Sequence, residues 1–253
     1  MRDEELQDVL RGYGIEESET TFIRHNENRT YKVDEVNGSS YLLRIHQPVK
    51  DSMAGLQHTY EGLQAELNML EGLSSWSNLH VQKPLRNRDG ELITIIQHEG
   101  KTWNSSVLTW LEGRDLQKDD VKDPAVVERL GAHIAELHRF YSQHQQEGLD
   151  KRPSQGTAYH EYMIEVIKRG LEKGLFTSSD VSIIETTLRW VNTRLEDRGS
   201  EGAWGLIHGD LSLGNIIMTP EGEFSFIDFG FFRTGVLLYG RSYGGYDDSF
   251  GTS

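Results

Sequence analysis

A polar segment close to the carboxyl end constrains the fold of this chain more than any other feature. The run His208-Gly-Asp-Leu-Ser-Leu-Gly-Asn215 is followed by a mostly hydrophobic stretch and then by Asp228-Phe-Gly. A turn at Pro220-Glu-Gly splits that stretch into two short strands, which predicts a hairpin. Such a hairpin brings Asn215 and Asp228 together, and their amide and carboxylate oxygens suit a hard divalent cation. The fold must therefore hold two polar loops against each other at one end of a hairpin.

The composition excludes several classes of partner. With 40 acidic and 26 basic residues, and a formal net charge of −14, the chain lacks the basic patches that bind nucleic acid. It has no cysteine, so disulfides and thiolate zinc sites are excluded. The amino terminus has no apolar core typical of a signal peptide, and no apolar run is long enough to span a bilayer. We therefore expect a cytoplasmic protein with no nucleic-acid partner and no membrane partner.

The first half of the chain is predicted to be rich in strands. Alternating apolar residues on either side of Asn37-Gly predict a β-hairpin, because Asn-Gly favours the turn whose twist matches paired strands. Residues 56–73 have the apolar spacing of a helix that packs on the resulting sheet. Residues 91–97 and 106–111 predict two further antiparallel strands.

The second half is predicted to be mainly helical. It begins at Asp123, a helix N-cap followed by proline at the first helical position. A chain of 253 residues is long enough for two lobes that share a cleft. The predicted architecture is α+β, with a β-rich lobe over residues 1–112 and a helical lobe over residues 113–253. Residues 240–253, rich in Gly, Ser, Tyr and Asp, are predicted to be flexible.

Taken together, the polar motifs resemble the catalytic and metal-binding loops of the protein-kinase-like fold. The His208-Gly-Asp210 form is similar to that of the aminoglycoside phosphotransferase and choline kinase group. The resemblance extends over residues 20 to 235, and its upstream parts are Tyr41-Leu-Leu-Arg-Ile45, Glu66, Val107 to Gly113 and Leu130 to His138. It implies a two-lobed fold with a small antiparallel-sheet N-lobe and a mainly helical C-lobe. For that group, the chain ends unusually soon after Asp-Phe-Gly, and the resemblance therefore leads us to expect that walls of the acceptor pocket are missing.

The resemblance implies transfer of the γ-phosphate of ATP or GTP to a hydroxyl of a small molecule, such as an aminoglycoside-like antibiotic, a sugar or an amino alcohol. Asp210 would be the catalytic residue, which orients or deprotonates that hydroxyl, and Asn215 and Asp228 would hold Mg²⁺. Arg44 would contact the α- and β-phosphates and would itself be held by Glu66.

The same resemblance implies the remaining nucleotide contacts, which would come from a hinge and from a turn that covers the phosphates. The implied residues are Thr109, Trp110 and Leu111 in the hinge and Asn28 and Thr30 in the cover turn. The turn near Asn26 to Thr30 contains no glycine, unlike the corresponding loop of protein kinases. Arg44 stands where those kinases have lysine, and a guanidinium is not equivalent to an ammonium at a phosphate site.

Several alternatives remain open from the sequence. Arg44 and Glu66 could form an ordinary surface salt bridge, and Glu161 and Glu165 a solvated helix face instead of a pocket for a cationic acceptor. His208 is interpreted as a buried histidine that braces its loop. The chain could also be a catalytically weak or inactive nucleotide-binding module, or an atypical protein Ser/Thr kinase, although no Ala-Pro-Glu follows Asp-Phe-Gly. The acceptor, the choice between ATP and GTP, and the oligomeric state are not predicted.

Overall fold

The computed structural model of the chain describes residues 1–25, 28–46, 57–76, 79–143, 147–197 and 204–237. The helices in these ranges are α1 (Asp3–Gly12), α2 (Tyr60–Trp76), α3 (Pro124–Gln143), α4 (Thr157–Glu172) and α5 (Ser178–Asp197). The strands are β1 (Ser18–His25), β2 (Asn28–Glu35), β3 (Ser40–His46), β4 (His80–Val81), β5 (Thr94–His98), β6 (Lys101–Thr109), β7 (Arg114–Asp115), β8 (Trp204–Ile207), β9 (Ile216–Met218), β10 (Phe224–Phe226) and β11 (Arg233–Val236). The stretch 240–253, predicted to be flexible, and Asn26 of the cover turn lie outside the described residues.

The first part of the chain forms a five-stranded antiparallel sheet in the order β1-β2-β3-β6-β5. The hairpin predicted at Asn37-Gly joins β2 to β3 and pairs Tyr31 with Leu43. Helix α1 covers one face of this sheet, where Leu10 is fully buried in a core that it shares with Val33 and Val107. The two strands predicted after the central helix complete the sheet as β5 and β6.

Helix α2 joins this sheet to the helical part of the chain. Its residues Leu63, Leu67 and Leu70 are buried in one large core together with Leu108 of β6 and Phe140 of α3. The helix that the sequence predicts to pack on the sheet therefore packs between the sheet and the helical lobe. Because it contacts both, α2 can fix the position of one lobe relative to the other.

A second, smaller sheet carries the polar motifs. Its order is β4-β10-β9-β7, in which β9 and β10 form the predicted antiparallel hairpin and β4 runs parallel to β10. Phe224 and Phe226 of β10 are fully buried behind it. Strand β4 comes from the range 1–112 and the other three strands from 113–253, so the two predicted lobes share this sheet. The division at residue 112 stays a prediction.

The apolar spacing of the sequence predicts Val127 on the buried face of α3 and Ile183 on that of α5, and the structure exposes both. In α3 the neighbouring Val126 is buried and Val127 is 47% exposed, and in α5 Ile183 is 63% exposed. The reason is that a helix turns through a large angle at each residue, so the position of its packing partner decides which neighbour is buried. None of the described helices is both long and apolar enough to cross a lipid bilayer.

Candidate active site

The two polar loops meet at the open end of the β9–β10 hairpin. Asn215 ends a short 3-10 turn (Leu213–Asn215) just before β9, and Asp228 follows β10 after one intervening residue. That residue, Ile227, donates its backbone N–H to the carbonyl of Asn215 at 3.0 Å. The bond extends the hairpin pairing by one step and places Asn215 beside the start of the Asp228 loop.

The side chain of Asn215 is tied to Asp210. Its Nδ2 donates to the backbone carbonyl of Asp210 at 2.8 Å and to carboxylate Oδ2 at 3.0 Å. Both amide hydrogens are used in these bonds, whereas Oδ1 of Asn215 accepts no hydrogen bond from the described residues. The arrangement orients the Asp210 carboxylate and leaves one amide oxygen available to a ligand.

His208 braces the loop as a neutral ring. Its Nε2 donates to the carbonyl of Ile227 at 3.0 Å, and its Nδ1 lies 3.4 Å from the backbone nitrogen of Asp210. Burial lowers the pKa of His208 to about 4, so the ring is uncharged at neutral pH. A neutral ring with one donor and one acceptor matches these two backbone partners. His208 thus holds the Asp210 loop against the strand that precedes Asp228.

Gly209 has to be glycine at its position between these residues. Its φ of +83° lies in the left-handed region, and a Cβ there would lie 2.3 Å from the carbonyl oxygen of Phe231. The neighbour is backbone and cannot rotate away. The close approach lets the Asp210 loop pack directly on the turn that follows Asp228.

Asp228 has a strained backbone conformation, and the cations around it compensate the negative charge of its carboxylate only in part. It has φ 61° and ψ 59°, a conformation in which Asp and Asn are among the better tolerated side chains. Burial raises the pKa of its carboxyl group, and the charges of Glu66 and Asp210 add to that effect. The guanidinium groups of Arg44 and Arg24 oppose the shift without cancelling it. A carboxylate in these surroundings is stabilised by a further cation.

The oxygens at this site fit Mg²⁺ carried by a nucleotide better than a metal ion bound by protein alone. Among the described residues, no group of three or more His, Cys, Asp or Glu side chains is placed to hold a metal ion. Asn215 and Asp228 offer an amide oxygen and a carboxylate. This small set suits Mg²⁺, which is usually bound through one or two carboxylates together with phosphate oxygens and water.

Arg44 and Glu66 form a buried ion pair rather than a surface salt bridge. Arg44 Nη1 lies 2.7 Å from Glu66 Oε1, and the two side chains are 8% and 2% exposed. Burial raises the pKa of Glu66, but the positive charges of Arg44 and Arg152 outweigh it and the net shift is downward. Nε and Nη2 of Arg44 are buried with no hydrogen-bond partner in the described part of the chain. Unpaired buried donors at the wall of a cleft fit an anionic ligand such as a phosphate.

The cleft between the five-stranded sheet and the polar loops contains most of the predicted nucleotide contacts. Those that line it are Asn28, Thr30, Arg44, Trp110 and Leu111, and Asp228 lies at the same cleft. Glu66 does not line it and stands behind Arg44. Thr30 Oγ1 donates to Asn28 Oδ1 at 2.7 Å, so these two side chains are linked to each other.

In the hinge, the structure narrows which backbone groups can meet a base. The N–H of Thr109 donates to the carbonyl of Lys83 at 2.9 Å, and that of Trp110 donates to Ser40 at 3.1 Å. Thr109 Oγ1 accepts from the backbone of Lys83 at 2.9 Å and is not part of the cleft wall. The next two residues along the chain, Leu111 and Glu112, have N–H groups that make no hydrogen bond within the described residues. These two groups are therefore the hinge donors that can meet a base.

Two arginines at the site are not indicated by any sequence motif. Arg24, near the end of β1, lies with Nη2 3.1 Å from Asp228 Oδ2 across the cleft. The sequence signal that could have identified Arg24 is its position next to the cover turn. Arg152 lies between α3 and α4, where no local pattern predicts a role. Gln82 and Asp115 also line the cleft and were not predicted.

Arg152 fastens the turn after Asp228 to helix α2. Its buried guanidinium donates through Nη1 to the carbonyl of Gly62 at 2.6 Å and through Nη2 to that of Gly230 at 2.5 Å. Nε donates to the carbonyl of Phe232. Burial lowers the pKa of Arg152 to about 10, which still leaves it charged at neutral pH. One side chain therefore couples the helix that carries Glu66 to the loop that carries Asp228.

Replacing Gly209 by alanine should unfold or distort the loop. We expect Gly209→Ala to lower the free energy of unfolding by about 2 kcal/mol or more, because the positive φ and the contact with Phe231 both disfavour a side chain. Chemical denaturation measures this. Gly131→Ala is the matched control, since Gly131 lies inside α3 with nothing within 4 Å of an added Cβ. The free energy of unfolding of Gly131→Ala should rise by about 1 kcal/mol, because alanine has the higher helix propensity. An equal rise for Gly209→Ala would contradict the packing described.

Neutralising Asp228 should stabilise the nucleotide-free protein. Since the folded-state pKa is raised, the folded protein is disfavoured once Asp228 ionises, and Asp228→Asn removes that penalty while keeping a residue suited to φ 61°. We expect a higher Tm for Asp228→Asn at pH 8, with the difference shrinking as the pH falls towards the ordinary aspartate value of 3.8.

The control for this pH series is Asp150→Asn. The hydrogen bond from Lys151 lowers the pKa of Asp150, so its neutralisation should give no gain in Tm at any pH. A Tm for Asp228→Asn that is equal to or below that of the unchanged protein at pH 8 would show that the Asp228 carboxylate is not destabilising.

The fold is similar to that of several solved small-molecule kinases. The microcompartment-associated aminopropanol kinase is 21% identical with a TM-score of 0.74, over 96% of this chain and 74% of its own. Amicoumacin kinase hAmiN, in complex with AMP-PNP, Ca²⁺ and Ami, is 23% identical with a TM-score of 0.69, over 87% of this chain and 60% of its own. The GDP and kanamycin complex of APH(2")-IIia is 17% identical with a TM-score of 0.64, over 96% of this chain and 77% of its own. These likenesses confirm the predicted two-lobed, protein-kinase-like fold.

Comparison at the level of sequence gives the family. No curated protein sequence matches the chain. The profile described as the phosphotransferase enzyme family, APH, matches residues 19–239, which include the five-stranded sheet, the cleft and both polar loops. The match agrees with the resemblance drawn from the motifs and confirms the prediction of a phosphotransferase. The chain belongs to the APH phosphotransferase enzyme family.

Proposed function

We propose that this protein transfers the γ-phosphate of ATP or GTP, in the presence of Mg²⁺, to a hydroxyl group of a small molecule that also carries an amine. The observation that carries the proposal is the bonding of Asn215. Its amide nitrogen orients Asp210 through two hydrogen bonds, while its amide oxygen accepts no hydrogen bond from the described residues and its backbone carbonyl is bonded to the residue before Asp228. The side chain of Asn215 thereby connects the Asp210 carboxylate, which suits an acceptor hydroxyl, with an amide oxygen that suits a metal ion.

Asp210 is the proposed catalytic residue. Its Oδ2 accepts the hydrogen bond from Asn215, so Oδ1 is the oxygen that can accept a hydrogen bond from the acceptor hydroxyl and take its proton. His208 supports the loop from behind and, as a neutral ring bonded on both sides, does not exchange a proton itself. When bound through Asn215 and Asp228, Mg²⁺ would neutralise charge on the phosphate oxygens.

The nucleotide is proposed to lie with its phosphates at Arg44 and its base at the hinge. The unpaired Nε and Nη2 of Arg44 supply donors for phosphate oxygens, and Glu66 keeps the guanidinium in place. The backbone N–H groups of Leu111 and Glu112 are the donors left for a base. Backbone groups do not by themselves separate adenine from guanine, and the structural neighbours were solved with AMP-PNP in one case and GDP in another. Both ATP and GTP therefore belong in the test.

The acceptor is proposed to be an amino alcohol or an amine-bearing antibiotic. The named neighbours that share this fold include an aminopropanol kinase and a kanamycin complex. The net charge of −14 favours the approach of a cationic acceptor over an anionic one. Glu161 is paired with Arg189 at 3.2 Å and Glu165 with Lys168 at 3.6 Å, which supports a solvated helix face for these two acids. The cytoplasmic location stays a prediction.

The central experiment replaces Asp210 by asparagine. We expect Asp210→Asn to reduce phosphate transfer by at least about 100-fold, because a general base contributes about that much or more. Affinity for the Mg²⁺-nucleotide should change little, since Asp210 is proposed to meet the acceptor hydroxyl and asparagine keeps a side-chain oxygen that can accept from Asn215. Transfer is measured by mass spectrometry of products with ATP and with GTP, over a panel of amino alcohols, aminoglycosides and sugars, and nucleotide affinity by calorimetry.

Asp119→Asn is the matched control, because Asp119 is an exposed carboxylate whose ion pair, among the residues described, is with Lys122. It should transfer phosphate at the unchanged rate. Full transfer by Asp210→Asn would refute the role of Asp210. Tight nucleotide binding with no phosphorylated product from any member of the panel would instead favour an inactive nucleotide-binding module, and phosphate on added protein would favour a protein kinase.

A further inference from the structure

Arg24 is aimed into the nucleotide cleft by an irregularity in strand β1. The pairing of β1 with β2 is regular up to Phe22 opposite Tyr31, and then Arg24 pairs with Thr30, so that Ile23 is an extra residue. Such a bulge bends a strand and redirects the side chains next to it. Both Ile23 and Arg24 line the cleft. The bulge thus brings a cation to the cleft wall from the hairpin of β1 and β2, which we call the cover hairpin.

In this structure Arg24 forms an ion pair with Asp228, the proposed metal ligand. Arg24 Nη2 lies 3.1 Å from Asp228 Oδ2, and the two side chains are 45% and 34% exposed. An ion pair with this exposure contributes little to stability and can be exchanged at small cost. A guanidinium and a divalent cation are both positive, so Mg²⁺ on Asp228 disfavours Arg24 at the same carboxylate. Arrival of the metal ion would therefore release Arg24 inside the cleft.

The surroundings of Arg24 favour phosphate as its next partner. Arg44, which has two unpaired nitrogens, lines the same cleft, so a triphosphate between Arg44 and Asp228 lies within the space that Arg24 borders. Thr30 uses its hydroxyl to donate to Asn28, and among the described residues of the hairpin Arg24 is the positively charged side chain that lines the cleft. Arg29 stacks on Trp103, 5.1 Å from the ring centroid, and does not line the cleft. A planar guanidinium can bind two phosphate oxygens at once.

We propose that Arg24 is a phosphate-binding residue of the cover hairpin, held on Asp228 in the nucleotide-free protein and passed to the triphosphate when Mg²⁺ occupies Asp228. The proposal rests on the proposed function, since it assumes a Mg²⁺-nucleotide in this cleft. It assigns to one arginine the role that glycine-rich backbone has in the loop of protein kinases, and it accounts for a cover turn without glycine. It also makes Arg24 and Mg²⁺ competitors for one carboxylate before the nucleotide binds.

The test compares Arg24→Gln with Arg29→Gln, which removes the same charge from the other strand of the hairpin. Calorimetry measures binding of Mn²⁺ alone, of AMP, and of ATP with Mg²⁺. Arg24→Gln should bind Mn²⁺ alone about 3-fold more tightly, because a competing ion pair is removed. It should bind Mg²⁺-ATP about 10-fold or more weakly, because a charge-assisted hydrogen bond is lost, and bind AMP as the unchanged protein does. Arg29→Gln should match the unchanged protein in all three.

The outcomes separate this inference from the proposed function. If the unchanged protein binds Mg²⁺-ATP and Arg24→Gln binds it equally well, Arg24 does not contact phosphate and only the inference fails. Equal weakening of AMP and Mg²⁺-ATP would show a general disturbance of the hairpin and would also overturn it. If the unchanged protein binds neither ATP nor GTP with Mg²⁺, both the inference and the proposed function fail. Thermal unfolding of each variant confirms that the folded protein is being measured.

Discussion

The site depends on the backbone of Ile227, the residue just before Asp228. Its N–H donates to the carbonyl of Asn215, and its carbonyl accepts a hydrogen bond from His208. Two polar loops are thereby joined to the backbone of one residue. Burial keeps the histidine neutral, so that Nδ1 can accept from the Asp210 N–H while Nε2 donates to the Ile227 carbonyl. The catalytic proposal for Asp210 and the metal proposal for Asn215 and Asp228 both rely on this junction, to which the close packing of Gly209 on the Phe231 carbonyl adds a second contact between the loops.

A group of buried charges positions the site from the other side. Glu66 lies between Arg44, with which it pairs at 2.7 Å, and Arg152, whose charge also lowers the pKa of Glu66. Arg44 reaches the cleft, whereas Arg152 binds carbonyl groups of α2 and of the turn after Asp228. Removing one partner of such a group leaves a buried charge uncompensated, which costs far more than an exposed ion pair. Helix α2 therefore links Arg44, the cation proposed to bind the phosphates, to the loop that carries Asp228, the proposed metal ligand, and a shift of this helix would move both.

The sequence predicts those parts of the fold and site that depend on neighbouring residues. The turn at Asn37-Gly, the β9–β10 hairpin and the capped start of α3 each follow from a local pattern and are present in the structure. Contributions that depend on tertiary packing are not predicted. Arg24 enters the cleft through a bulge that no residue pattern specifies, and Arg152 finds carbonyl groups distant in sequence. In the hinge, the resemblance implies nucleotide contacts from Thr109 and Trp110, but their N–H groups donate to the carbonyl groups of Lys83 and Ser40, a pairing that only the folded arrangement reveals.

The most direct test of the central claim is a crystal structure with AMP-PNP and Mn²⁺, whose anomalous scattering locates the metal ion. The hairpin junction predicts Mn²⁺ at about 2.2 Å from both Asn215 Oδ1 and an Asp228 carboxylate oxygen, with phosphate oxygens completing its shell. It also predicts that Asn215 still donates to Asp210 and that Arg24 has left Asp228. A metal ion bound to phosphate alone, with Asn215 and Asp228 not coordinated to it, would contradict the assignment of these two residues.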